Sequence, residues 1–399
     1  MENPLRNPTV EISSLQTQVE ADLRRLHAAK LHRQLRTVEG VPGPRMRVNG
    51  REVLMLAGSN YLDLAGDARV IKAAQQAVAS AGCAAGGSRL INGNLSLHEE
   101  LEHELASFVG SDAALVFSTG YMANLGVITT LAGSDDVILS DALNHASIID
   151  ACRLSRASTR VFRHNDPEDL NRIAGDCAGF RRRLLVLDGV YSMDGDVARL
   201  REMAPIARAH DMVIVLDDAH GLGILGPGGC GVASLERVAV DVQIGNLGKA
   251  LGSFGAYVAC SQALRELFIN RARSLIFTCG LPPGPLAAAR AALQLLKAEP
   301  WRRLALLERA EQLRAGLKAA GYDTGRSTSH IIPAIVADNE RVMSLCEQAL
   351  RQGVHAQGIR YPSVPEGTAR IRFTPMCSHS VDDIEEVVTI FRQLSHLRQ

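Results

Sequence analysis

Short aliphatic runs punctuate the middle of the chain: AALVF (113–117), DVILSD (136–141), TRVFRH (159–164), RLLVLDG (183–189), MVIVLDD (212–218), VQIGN (242–246) and AYVACS (256–261). Several are apolar throughout instead of alternating, the pattern of strands covered on both faces, and the gaps between them leave room for crossover helices. They predict a mostly parallel α/β sheet. Before it, Leu15, Val19, Leu23, Leu26, Leu31 and Leu35 fall near helical spacing with basic residues between them, predicting an amphipathic helix over Leu15 to Arg36. Asn49-Gly50 separates two apolar runs in MRVNGREVLML, a hairpin signal. Ser96 and Glu99 read as a capping box for a helix with Leu97, Leu101, Leu105 and Phe108 on one face. After LPPGP (281–285) come a long helical stretch, the strand IIPAIVAD, a helix around Val342 to Gln352, the strand ARIRFT and a last helix capped by Ser380 and Asp383. The expected division is an N-terminal helix and hairpin segment (1–57), a large domain (58–285) and a small C-terminal α/β domain (286–399).

Composition narrows the partners. The chain is 46% hydrophobic and carries 43 Lys+Arg against 43 Asp+Glu, an ordinary globular balance with no field to attract nucleic acid or an anionic membrane. A small-molecule ligand is expected. Cys83, Cys152, Cys177, Cys230, Cys260, Cys279, Cys346 and Cys377 are scattered, without C-x-x-C pairs or metal-ligand rhythm, and read as reduced thiols; no metal is expected. MENPLRNPTVE has acids and prolines where a signal peptide needs an apolar core, and no run of 18 apolar residues occurs, so a cytoplasmic protein is expected.

In open parallel sheets, ligands bind beyond the carboxyl ends of the strands. There, STGYMANLG follows AALVF and offers the backbone N–H groups of Gly120 and Tyr121 at a helix start, a phosphate cradle. LNHAS places His145, YSMDG follows RLLVLDG, DDAHG ends an aliphatic run in two carboxylates and the imidazole of His220, and NLGKALG sets Lys249 in a glycine-flanked turn. Alone, D-D-x-H reads as a turn with an N-cap Asp sooner than as a metal site, and GLGILG lacks the strand, spacing and following acid of a dinucleotide fingerprint. Together, the cradle, carboxylate, two imidazoles and lysine match the needs of pyridoxal phosphate. Lys249 would condense with its aldehyde, Asp217 would keep its pyridine nitrogen protonated, His220 would bond its phenolic oxygen and His145 would stack on its ring.

At these residues the sequence resembles the α-oxoamine synthases among the fold-type I pyridoxal phosphate enzymes. The likeness runs through GSNYLDL (58–64), GGSRLINGNLSLHEELE (86–102), FSTGYMAN (117–124), DALNHASIIDACRLSRA (141–157), DGVYSMDGDVARL (188–200), VLDDAHGLGILGPGG (215–229), LGKALGSFGAYV (247–258) and GTARIRFT (367–374). It implies an aspartate aminotransferase-like fold, a large domain built on a seven-stranded sheet with a small C-terminal domain, and a homodimer with active sites at the interface. The implied reaction is decarboxylative condensation of a small L-amino acid, expected to be L-alanine, with an acyl thioester, expected to be pimeloyl-CoA or a pimeloyl carrier protein. The products would be an α-amino ketone, CO2 and free thiol. The alternative is another acyl thioester or amino acid, as in glycine C-acetyl transfer.

The resemblance assigns Lys249 as Schiff-base residue and α-proton acid/base, with Asp217, His220 and His145 as above. His145 would also guide the acyl thioester. Ser192 would lie beside the cofactor and Gly120 and Tyr121 would hold phosphate. Arg370 is the expected clamp for the amino-acid carboxylate, with Arg372, on the same strand face, as fallback; Ser88 and Arg36 are further substrate-binding candidates. Two positions depart from the family pattern: Asn246, where a phosphate-binding Thr or Ser is usual, and Cys279, where a hydroxyl residue reaches the neighbouring subunit's phosphate, with Thr278 beside it. Leu90 in GGSRL argues against succinyl-CoA. A non-catalytic scaffold of this fold, or a metal hydrolase using Asp217, Asp218 and His220, would differ in cofactor absorbance and bound metal.

Overall fold

The computed structural model describes residues 14–398; MENPLRNPTVE, expected to be no signal peptide, lies outside the described residues. All seven aliphatic runs form strands of one sheet, ordered Ala113–Phe117, Ala256–Cys260, Val242–Asn246, Met212–Asp217, Arg183–Asp188, Val137–Asp141, Ser158–Phe162. Only Ala256–Cys260 runs against its neighbours. The continuous hydrophobicity follows from two-sided burial: along Arg183–Asp188, Leu185 and Leu187 enter one apolar cluster while Leu184 and Val186 enter the other. Because the remaining strands are parallel, Phe117, Asp141, Asp188, Asp217 and Asn246 all end on one edge.

The hairpin forms as expected, Arg45–Val48 against Arg51–Met55, with both turn residues at positive φ (Asn49 50°, Gly50 78°). Its second strand also pairs in parallel with Val354–His355, and Leu54 and Leu56 pack with Leu313, Val342, Ile371 and Phe391. The hairpin expected as a separate segment is thus part of the small C-terminal unit. The boundary expected at 285–286 falls inside helix Pro283–Ala298, whose Leu286, Leu293 and Leu296 belong to the large unit's core. The small unit is completed by the antiparallel sheet Ile332–Ala337, Ala369–Phe373, Gln357–Ile359 and by helix Val381–Gln393, opened by the expected Ser380–Asp383 capping box.

Two local expectations need correction. The N-terminal helix spans Ser14–Ala28, not Leu15 to Arg36: Lys30 takes φ 56°, which ends the helical path, and Leu31 and Leu35 follow in an irregular segment. The Ser96–Glu99 box is shifted by one residue: the Leu95 amide donates to His98 Nδ1 at 3.1 Å, and Glu99 accepts instead from Asn94 at 2.9 Å. All eight cysteines are free, and among the described residues no helix is long and apolar enough to cross a membrane.

Candidate active site

Asp217 closes its strand with its carboxylate satisfied from two sides: Oδ1 accepts from the Ala219 amide (3.0 Å) and Oδ2 from Asn124 Nδ2 (2.6 Å). Asn124 stands one turn into helix Gly120–Leu131 and also donates to Ser147 Oγ (2.9 Å), which meets His145 Nδ1 (2.8 Å). Side chains from three strand ends are thereby joined in one chain. Beside it, Asp188 sits opposite Asp217 in the sheet register and accepts the His145 amide at 2.7 Å. Burial, reinforced by the adjacent Asp217 charge, pushes the Asp188 carboxyl well above the usual carboxylate range.

Lys249 follows the strand Val242–Asn246 in a turn held by the Gly248 amide on Asn246 Oδ1 (2.7 Å). Its Nζ lies 2.9 Å from His220 Nε2, and His220 Nδ1 lies 2.8 Å from the Tyr61 hydroxyl. Burial lowers Lys249 to about 8, with Asp217 and Asp188 opposing the shift and Arg372 adding to it. Burial, then the Lys249 and Arg372 charges, keep His220 well below its ordinary value. A neutral His220 fits both contacts: Nε2 accepts from the ammonium and Nδ1–H donates to Tyr61. His145 is lowered too, by burial, with Asp217 opposing and Lys249 assisting. Against Tyr61 packs His330, centroids 4.3 Å apart, fully buried, lowered by burial to about 3, and with both ring nitrogens unpaired.

The strand Ala113–Phe117 is followed by a helix that starts at Gly120, the segment read as a phosphate cradle. Thr119 Oγ1 takes the Met122 amide (3.1 Å), leaving the first amides, Gly120 and Tyr121, outside the helical ladder. A Cβ on Gly120 would stand 3.1 Å from Asn246 Nδ2, a tight contact that places the helix start and the Asn246 side chain close together. Ser118 donates to the Cys279 carbonyl (3.3 Å), and Ser88 bridges Cys279, bringing Ser88 and Cys279 to the same rim. Among the described residues no hydrogen bond ties Thr278 to the cradle, and the Tyr121 phenol turns to Asp150 (2.6 Å).

The two arginines part company. Arg370, the expected clamp, is buried and already engaged: its guanidinium pairs with Asp194 and its Nε donates to the Thr368 carbonyl at 2.9 Å. Arg372 has one long contact, Nη1 to the Ser192 carbonyl at 3.4 Å, and a buried Nε without a partner. Its charge acts on Lys249, His220, Tyr61 and His330. The open guanidinium beside Lys249 is therefore Arg372. Arg36 pairs with Glu347 (3.3 Å) and faces a cavity of about 1060 Å³ whose lining includes none of the residues around Lys249, so the fold does not bring Arg36 to this site. Asp218 points elsewhere, to the Val232 amide (2.7 Å) and Gln243 (2.9 Å), with burial raising it to about 8. Asp217, Asp218 and His220 do not converge, and among the described residues no three His, Cys, Asp or Glu are arranged to hold a metal ion.

Reading the sequence missed Tyr61, Asn124, Ser147, Asp188 and His330. Asp188 had a visible signal: it ends RLLVLD as Asp217 ends MVIVLD. Asn124 lies four residues after Gly120, hence on the same helix face. Tyr61 and His330 come from distant segments and carry no local mark.

A pyridoxal phosphate group fits this arrangement: the free Gly120 and Tyr121 amides near Asn246 suit its phosphate, the Asp217 carboxylate its ring nitrogen, and the buried Asn124 Oδ1 and Arg372 Nε are polar atoms left without partners. Residues 51–391 match the family model "Aminotransferase class I and II". The chain is 46% identical over 380 residues to an 8-amino-7-oxononanoate synthase of Geobacter sulfurreducens, covering 94% of this chain and 97% of the relative. It is 40% identical over 372 residues to "8-amino-7-oxononanoate synthase 2" of Bacillus subtilis, covering 93% and 96%. A serine palmitoyltransferase variant from S. paucimobilis with PLP and myriocin bound superposes with TM-score 0.91 at 32% identity over 97% of this chain and 99% of that one. An 8-amino-7-oxononanoate synthase from Francisella tularensis gives 0.76 at 26% identity over 86% and 98%. With its strand-end lysine, carboxylate and imidazoles in place, the chain belongs to the α-oxoamine synthase family of fold-type I pyridoxal phosphate enzymes, acyltransferases of the class I and II aminotransferase group.

Proposed function

We propose that this enzyme condenses L-alanine with a pimeloyl thioester, carried on CoA or a carrier protein, releasing CO2 and free thiol and leaving an α-amino ketone for biotin synthesis. The observation that carries this reading is the likeness, over 93–94% of the chain, to 8-amino-7-oxononanoate synthases, joined to a site with a neutralisable lysine and an open arginine. Bound to the lysine, pyridoxal phosphate supplies an electron sink for charge at the amino acid's α-carbon.

The protein's own groups do the rest. The Gly120 and Tyr121 amides and Asn246 hold the phosphate; Asn246 offers an amide N–H where a hydroxyl is usual. Ser88 and Cys279 close the rim of that cradle. Ser192 reaches the site through its carbonyl on Arg372. With the cofactor bound, Asp217 would hold the ring nitrogen's proton, His220 would bond its phenolic oxygen and His145 would lie against its ring. Lys249, lowered to about 8, holds or gives up a proton near neutral pH, as moving the α-proton requires. Arg372 receives the carboxylate in a bidentate pair that fixes which bond stands across the ring. We further infer a cytoplasmic homodimer; Phe277 and Ile91, exposed beside the cradle rim, supply apolar surface for a second copy, and free thiols suit a reducing compartment.

The test is thiol release from pimeloyl-CoA with L-alanine, glycine, L-serine or no amino acid. Release with alanine well above the others is expected. Release only with serine and a long-chain acyl thioester would replace this reading with that of the serine palmitoyltransferase neighbours. Arg372→Ala is expected to raise the alanine KM roughly 30- to 150-fold, from loss of about 2–3 kcal/mol of charge-assisted hydrogen bonding. An unchanged KM would remove Arg372 from the carboxylate site.

A further inference from the structure

Arg370 and Arg372 differ in how completely they are satisfied. They lie two residues apart on one face of the strand Ala369–Phe373, and both reach across to the loop after strand Arg183–Asp188. Arg370 is 5% exposed and meets the Asp194 carboxylate, the Met193 carbonyl (3.4 Å) and the Thr368 carbonyl (2.9 Å). Arg372 reaches only the Ser192 carbonyl and keeps a bare Nε. One arginine is saturated by the loop and the other is left open beside it.

The loop is seated at a second place, against the segment 328–331 that leads into the strand Ile332–Ala337. The Thr328 and Ser329 amides donate to the Gly195 carbonyl at 3.2 and 3.1 Å. Gly195 takes φ +70°, and a Cβ there would fall 1.9 Å from the Ile331 carbonyl oxygen, so the two segments meet without room for a side chain. The strand bearing both arginines cannot slide to compensate, because Arg370 is paired in register with Ile335 on one side and Ile359 on the other. Whatever fixes Arg370 against the loop therefore fixes Arg372, one side-chain repeat further along the strand.

We propose that Arg370 and Asp194 form a latch across the seam between the two units, and that the latch sets the reach of Arg372 toward the amino-acid carboxylate. This rests on the reading of Arg372 as the carboxylate clamp. Arg370 is then a positioning residue: it touches no substrate and acts through Arg372. A buried arginine without its partner is costly, so losing Asp194 frees Arg370 to seek another acceptor and loosens the seam. The latch also couples the clamp to the cofactor edge, since the loop that carries Asp194 follows directly from Asp188, which lies opposite Asp217 in the sheet.

The experiment compares Asp194→Asn, Arg370→Gln, Arg370→Lys, the Asp194→Asn/Arg370→Gln double variant and Arg372→Ala. Two readouts are used: hydrogen exchange of amides 192–196 in the cofactor-free protein, and the L-alanine dissociation constant of the cofactor-loaded enzyme without acyl donor, followed by the cofactor's absorbance. Each single latch variant is expected to speed exchange in 192–196 and weaken alanine binding about tenfold, with kcat within about twofold. The double variant is expected to be no worse than the weaker single, as coupled partners behave, and Arg370→Lys to recover part of the loss. If Asp194→Asn leaves both readouts unchanged while Arg372→Ala weakens alanine binding, the latch is wrong and the clamp stands. If Arg372→Ala leaves alanine binding intact, the clamp falls and the proposed purpose of the latch with it. Should Arg370→Gln fail to fold, Asp194→Asn, at a carboxylate 28% exposed, decides alone.

Discussion

Lys249→Ala is expected to lower thiol release from the acyl thioester by at least about a thousandfold, because one side chain is asked both to hold the cofactor and to move a proton, and acid–base work alone is worth roughly 10²–10⁴. The protein prepares that amine by burial, which brings Lys249 to about 8, while His220 Nε2 accepts from it at 2.9 Å. The sign of the pH dependence follows. A lowered pKa means the neutral amine appears earlier as pH rises, so acylation of Lys249 in the cofactor-free protein, read by mass spectrometry, should be half-maximal near pH 8. An ordinary exposed lysine, with a pKa of about 10.4, should react in that way only more than two pH units higher. A wild-type rate from Lys249→Ala, or a Lys249 labelling midpoint as high as that of exposed lysines, would refute the assignment. Tyr61→Phe offers a control on the hydrogen-bonded chain: it removes the oxygen that His220 Nδ1 meets and should shift that midpoint without abolishing labelling.

What the sequence made legible, and what it left dark, divides along local and non-local lines. Lys249, Asp217, His220 and His145 stand directly after aliphatic runs, and a parallel sheet brings all such ends to one edge; their meeting follows from topology alone. Arg370 and Arg372 could not be separated in this way. Strand alternation puts both on one face, and the choice is made by Asp194, a residue 176 positions away on another unit. The hairpin was visible in Asn49-Gly50, but its attachment to Val354–His355 depends on a pairing no local pattern encodes. The helix end at Ala28 is hidden in the sequence because Leu31 and Leu35 continue the helical spacing beyond it. His330 reads as an ordinary polar residue in STSHIIP, and only the fold shows it buried against Tyr61.

Asp217→Asn is expected to lower kcat about 100- to 1000-fold while leaving the fold intact, the loss typical of removing one preorganised charge from a reacting centre. The effect has two parts. The carboxylate that holds a proton on the cofactor's ring nitrogen becomes a neutral amide, which weakens the electron sink. The hydrogen bonds around it also conflict: Oδ1 of the new amide can still accept from the Ala219 amide, but its NH2 would face the NH2 of Asn124. If Asn124 answers by turning its unpaired Oδ1 inward, the Ser147 hydroxyl has one proton for two acceptors, Asn124 Oδ1 and His145 Nδ1, and one of those contacts is lost. A second consequence separates this from simple damage. Burial and then the Asp217 charge raise the Asp188 carboxyl, so removing the charge is expected to lower the Asp188 pKa without relieving its burial. Asp188 then becomes the site's remaining candidate anion, one strand away. Its titration, followed by infrared absorption of the carboxyl group in the cofactor-free protein, should move to lower pH in Asp217→Asn. If Asp217→Asn retains activity within about tenfold and Asp188→Asn proves the more damaging, the ring-nitrogen carboxylate is Asp188, and the roles of the two neighbouring acids are reversed.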